Sequence, residues 1–216
     1  MKVLVIGAHP DDETFGMGGT LARHMREGDK VFVLILTDGV TARGGDILKQ
    51  HEAFVTAMRM YGVAQWKHLK YTDQQLDFTP LLGIVRTIET VIHDFRPEII
   101  YTHSREDVGQ DHRRVYEATL LAARPLMGAG VQKLVSYASP SSTWWGDEAF
   151  RANYYVDITQ DAEKKQEVIE QAYQHEVRSE AHPRSYAGIR MRENWLGHLI
   201  GIVGQAEEFR IVREIW

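Results

Sequence analysis

Val3-Leu4-Val5-Ile6-Gly7-Ala8-His9-Pro10-Asp11-Asp12-Glu13-Thr14 is an apolar run that passes without a break into one imidazole and three carboxylates. Its first part, residues 2–8, reads as a buried strand: short, rich in β-branched residues and stopped by a turn. Its second part is unfavourable for a fold on its own terms. Carboxylates crowded at a strand end repel one another or take up protons unless positive charge sits among them. A divalent metal meets that need. An ordinary helix start, with Asp11 or Asp12 as N-cap and Glu13 in the first turn, meets it more plainly. The stretch alone leaves both readings open.

Moving outward, strands and helices alternate. A helix is predicted over 14–27 with Gly28 closing it, and a second buried strand over 30–37 stopped by Asp38-Gly39. A helix over 46–61 ends at Gly62, a short strand covers 67–71, and a helix over 80–95 ends at Arg96-Pro97. A third buried strand at 98–102 precedes a helix at 111–123. Further strands are expected at 133–138 and 154–158, with a helix over 161–179. This order gives an α/β fold, a three-layer sandwich around a mainly parallel, Rossmann-like sheet. No repeat or linker divides the chain, so residues 1–216 are expected to form a single domain. In such sheets functional groups gather beyond the carboxyl ends of the strands. His9 to Asp12 follow the first strand, and Asp111-His112 lie after the strand ending at Thr102. Both fall on one edge of the sheet, which favours the metal reading.

Composition narrows the chemistry. Of 216 residues, 44% are hydrophobic and 25% charged, as in ordinary globular proteins, and the net charge of −5 argues against nucleic acid or an anionic membrane as partner. The absence of cysteine removes disulfides and thiolate sites, so any metal must be held by His, Asp or Glu. No signal peptide opens the chain, and the apolar stretch around Trp195 to Val203 is too short and too interrupted to span a bilayer; a cytoplasmic location is expected. Gly16, Gly18 and Gly19 do not make a dinucleotide fingerprint or a P-loop.

Ala8-His9-Pro10-Asp11-Asp12-Glu13, continued by Thr14, Gly18, Gly19 and Thr20, resembles the signature of the LmbE/PIG-L family, zinc-dependent N-acetyl deacetylases of amino sugars and related glycosides. Tyr101-Thr102-His103 with Asp111-His112-Arg113 resembles a second family element. Thr37-Asp38-Gly39 and Ala206-Glu207-Glu208-Phe209 resemble weaker ones. The resemblance implies Zn²⁺ held by His9, Asp12 and His112, with Asp11 as general base. Fe²⁺ or Co²⁺ would suit the same nitrogen and oxygen ligands. It implies a small N-acetylated sugar or glycoside as substrate. Hydrolysis of another amide or an ester is the alternative, with a non-catalytic binding protein on the same scaffold behind it.

The sequence departs from many members at Gly109, where they carry a histidine that assists the oxyanion or the leaving group. His103, His182 and His198 are the candidates for that role here. Asp111 is expected to sit behind a ligand and orient it, to cap its helix, or both. Asp38 and Arg43, on the same sheet edge, are candidates for binding sugar hydroxyls or an anionic group. Trp144 and Trp145 would stack on a sugar or close the core. Residues 194–210 read as a roughly helical apolar stripe for the core, with a contact to a second copy as the next reading. His175, Glu176 and Glu180 read as a solvated helix face.

Overall fold

In the computed structural model, residues 1–125 and 130–215 are described. The chain runs β1 (Lys2–Gly7), α1 (Asp12–Arg26), β2 (Lys30–Thr37), α2 (Ile47–Tyr61), β3 (Gln65–Tyr71), α3 (Leu81–Phe95), β4 (Ile99–Thr102) and α4 (Gln110–Ala122). Then come β5 (Lys133–Tyr137), β6 (Tyr154–Asp157), α5 (Ala162–Gln171), α6 (Tyr186–Leu199) and β7 (Ala206–Glu214). The strands form one sheet in the order β3-β2-β1-β4-β5-β7-β6. The pairs from β3 through β5 are parallel, while β7 runs antiparallel to both β5 and β6.

Val3, Leu4, Val5 and Ile6 are all fully buried, as a strand covered on both faces requires. Alternate residues serve opposite layers. Val3 and Val5 join a core with Phe15 and Leu21 of α1, Phe54 and Met58 of α2, and Val168 and Ile169 of α5. Leu4 and Ile6 join a second core with Ile84 and Ile88 of α3 and Val115 and Ala118 of α4. After β3 the chain crosses to the far side of β1 and lays down β4, so strand order reverses between β1 and β4. The crevice for a site in an open α/β sheet lies at that reversal.

Helix α1 is interrupted at Met17, whose φ of −153° is not helical. The freed amides of Gly19 and Thr20 donate to the buried Glu207 carboxylate at 3.0 and 2.7 Å. A side chain at Gly19 would come within 2.6 Å of Ile158, so glycine lets the helix lie against the segment before α5.

Two expectations are corrected. The helix predicted over 161–179 stops at Gln171; residues 174–176 form a short 3₁₀ turn and Glu176 points inward. The apolar stripe at 194–210 is two elements. Helix α6 ends at Leu199, Gly201 turns the chain with φ +77°, and β7 begins at Ala206. A strand inserted between β5 and β6 has its pairing partners far away in sequence, so the local spacing gave no sign of it.

Candidate active site

The turn after β1 is anchored to the end of β2, because Ala8 carbonyl accepts from both the Thr37 amide (2.8 Å) and the Thr37 hydroxyl (2.9 Å). Asp11 then adopts φ 125°, a conformation L-residues avoid, at the N-cap of α1 with no capping bond from its side chain. Glu13 holds it there: its carboxylate accepts the Asp11 amide at 3.1 Å and is itself fixed by the Thr14 and Tyr173 hydroxyls at 2.8 and 2.9 Å. The Asp12 carboxylate folds back to accept the His9 amide at 2.7 Å. The strained turn therefore sends Asp11 and Asp12 to different places.

His9, Asp12 and His112 offer three ligand atoms that all lie within 4.8 Å of one another. His112 Nε2 is 3.2 Å from His9 Nδ1 and 3.5 Å from Asp12 Oδ1, and His9 Nδ1 is 3.6 Å from Asp12 Oδ2. Each imidazole has carboxylates on its outer nitrogen. His9 Nε2 lies 3.1 Å from both Asp111 and Asp73. His112 Nδ1 lies 3.0 Å from Asp107, too oblique for a linear hydrogen bond. Those carboxylates are fixed in turn: Asp111 accepts the Gln74 and Leu76 amides, and Asp107 accepts the Ser142 and Thr143 hydroxyls. Carboxylates behind imidazoles orient the inward nitrogens toward a common point.

The electrostatics describe a site short of positive charge. Burial works to raise the Asp12 carboxyl, but the His103 and His112 imidazoles outweigh it and hold the group well below the usual carboxylate range. Burial likewise opposes protonation of His9, yet Asp111 and Asp73 raise its pKa well above normal; His112 is raised against burial by Asp12 and Asp107. All three shifts report negative charge gathered at one point, which a cation there would compensate directly. Two imidazoles and one carboxylate fit a divalent zinc-like ion with room for further ligands.

Asp11 stands apart from this trio. Burial pushes its carboxyl up to about 6, against the pull of Arg184, whose Nη2 donates to Oδ2 at 2.5 Å. The Arg184 guanidinium lies 4.3 Å over the Phe15 ring. Asp11, Arg184, Arg43 and Gln74 line the same cavity as His9, Asp12 and His112, about 370 Å³ in volume.

Asp111 lies in the first turn of α4, not at its N-cap, which is Gly109. Asp38 is buried in the turn after β2 and accepts the Val40 and Thr41 amides at 3.0 and 2.9 Å. Arg43 lines the cavity, but its guanidinium grips Glu176 with two bonds of 2.9 and 2.6 Å. Glu176 is thus buried and paired instead of solvated. The three histidines considered in place of the one absent at Gly109 are dispersed. His103 is buried behind Asp12 and stacks on His112 at 4.0 Å; His182 borders a different cavity; His198 faces solvent on α6. A Cβ at Gly109 would lie 3.0 Å from Asp107 and 3.1 Å from His112 Nδ1, so a side chain there would crowd the pair.

Sequence reading missed Asp73 and Arg184. Asp73 follows β3 on the carboxyl edge of the sheet, and a search of the residues just beyond every parallel strand would have found it. Arg184 lies in the loop before α6, where nothing in the local pattern marks it.

The family described as PIG-L: GlcNAc-PI de-N-acetylase matches residues 4–123. The protein named uncharacterized deacetylase YaiS of Escherichia coli is 33% identical over 147 residues, 66% of this chain and 75% of that protein. The diacetylchitobiose deacetylase of Thermococcus kodakarensis is 28% identical over 178 residues, 76% of this chain and 66% of the relative. The structure of N,N'-diacetylchitobiose deacetylase from Pyrococcus horikoshii shares the fold, with a TM-score of 0.79 over 98% of this chain and 83% of that one at 21% identity.

Proposed function

We propose a reaction for this chain, which belongs to the PIG-L family of de-N-acetylases: metal-dependent hydrolysis of the acetamido group of an N-acetylated amino sugar or glycoside. The observation that carries it is the separation of labour among four adjacent groups. His9, Asp12 and His112 converge as ligands, while Asp11 enters the same cavity without joining them. Zn²⁺ is the ion this donor set suits best, and it would supply Lewis acidity to a water and to the amide carbonyl.

The protein's own groups do the rest. Asp11 takes a proton from the attacking water and returns it to the departing amine. A carboxyl pushed up to about 6 is suited to both tasks, being largely ionised at neutral pH yet able to hold a proton. Arg184 fixes the direction of that carboxyl and brings positive charge to the cavity wall. Asp73, Asp111 and Asp107 keep both ligand rings from turning.

The sugar rests on the relatives, whose names specify diacetylchitobiose and an inositol glycoside of N-acetylglucosamine. The test is acetate release by zinc-loaded protein across N-acetylated sugars, glycosides and nucleotide sugars, with simple peptides and esters alongside. Release confined to acetamido sugars is the expected result. Turnover of peptides or esters alone would move the reaction to another acyl substrate on the same site.

A further inference from the structure

Asp11 is held from two sides by one stretch of chain, residues 173–184. In front, Arg184 fixes its carboxylate in the catalytic cavity. Behind, its backbone amide donates to Glu13 Oε2 at 3.1 Å, while Glu13 Oε1 accepts the Thr14 hydroxyl at 2.8 Å and the Tyr173 hydroxyl at 2.9 Å. Glu13, Thr14 and Tyr173 are all fully buried, so solvent is not at hand to replace a bond lost there. Of the three donors to Glu13, Asp11 and Thr14 belong to the same turn and move with it. Tyr173 alone comes from another element, just beyond the end of α5. Its ring lies 6.5 Å from that of Phe15, centre to centre, and the Arg184 guanidinium covers the Phe15 ring at 4.3 Å. An aspartate at φ 125° departs from the conformations that L-residues favour, and a turn left to itself would relax. The anchor against relaxation must therefore lie outside the turn, where Tyr173 stands.

We propose that Tyr173 is a positioning residue for the general base: through Glu13 it holds the Asp11 backbone at positive φ, which sends the Asp11 carboxyl into the cavity and away from the metal ligands. The inference rests on the deacetylase reading for what that carboxyl does, but not for the hold itself. Tyr173 lines no part of the catalytic cavity and touches neither metal ligand nor substrate space. Its effect passes through two hydrogen bonds, hydroxyl to carboxylate and carboxylate to amide. A base displaced by a fraction of an ångström loses rate steeply, because proton transfer depends on alignment with the attacking water. The same loss leaves the cavity walls, and so substrate binding, as they were.

The experiment uses Tyr173→Phe in zinc-loaded protein, which keeps the ring and removes only the hydroxyl. Hydrogen exchange of the Asp11 amide, followed by NMR, should quicken by about 10-fold with metal occupancy unchanged. Unchanged exchange overturns the proposal. With the acetamido sugar that is turned over fastest, kcat should fall by about 5- to 50-fold while KM stays within about 2-fold. In the Asp11→Asn background the same change should have no further effect on residual turnover, since the carboxyl it aims is gone. An unchanged kcat, or the same loss in both backgrounds, would make Tyr173 an ordinary core contact and overturn the proposal. Glu13→Gln can turn its carbonyl to the Asp11 amide and its NH₂ to the two hydroxyl oxygens, so it should keep most of the turnover that Glu13→Ala loses. Equal loss in the two would overturn the hydrogen-bonded chain. If no acetamido sugar is turned over, the deacetylase reading fails, and the amide exchange alone decides whether Tyr173 holds the turn.

Discussion

At the scale of single residues, the site depends on one uncommon backbone conformation. Asp11 at φ 125° is the point where the chain leaves β1 and separates two consecutive carboxylates, one to the ligand cluster and one to the cavity. Its neighbours were legible in the sequence because the chemistry is dense there: an imidazole and three carboxylates within five residues, then Asp111-His112 beyond a later strand. Asp73 and Arg184 were not, since each reaches the site only through the topology. His112→Ala should reduce metal affinity by orders of magnitude, because one of three converging ligands is lost while its outer partner Asp107 stays buried. Metal occupancy in competition with a chelator reads this out, and unchanged occupancy would remove His112 from the ligand set.

At the scale of elements, helix α1 and strand β7 are joined by charge. Glu207 of β7 receives two amides where α1 breaks, and Lys165 of α5 bridges Glu207 to Glu193 of α6. The segment Ala206-Glu207-Glu208-Phe209 therefore builds structure around the first motif. Its role was hidden because β7 pairs with β5 and β6, both of which lie far from it along the chain, before α5 and α6. All three side chains are buried, and removing the lysine leaves two carboxyl groups together without a partner. Lys165→Met should cost about 3–5 kcal/mol of stability, the range for breaking a buried pair. Denaturant unfolding measures it; a loss well under 1 kcal/mol would mean water reaches the triad.

At the scale of the whole molecule, the order β1 to β4 and the shared sheet edge followed from buried runs and turn residues, because each parallel strand and its helix is a local unit. What was not legible is how the loop carrying Glu176 and Arg184 returns across the carboxyl edge to close the site. Glu176 ties that loop to Arg43 of the β2–α2 connection. Burial raises its carboxyl, but Arg43 first and then Arg184 and Arg178 outweigh this and hold it below its ordinary value. A carboxylate depressed in the folded state contributes stability that is fully present above its ordinary pKa, about 4.3, and is lost as pH falls through the folded value. Melting temperature should therefore drop more steeply below pH about 4.3 in the unaltered protein than in Glu176→Gln, which is less stable at pH 7 and lacks that titration. Parallel acid limbs would show that the loop is held by something else. The proposed reaction turns on Asp11 acting on a proton while His9, Asp12 and His112 hold the metal. Its most direct test is Asp11→Asn, with bound metal and acetate release measured on the same preparation. Full metal occupancy with turnover reduced by about 10²- to 10⁴-fold is the expected result. Loss of the metal, or turnover retained with the metal in place, would contradict it.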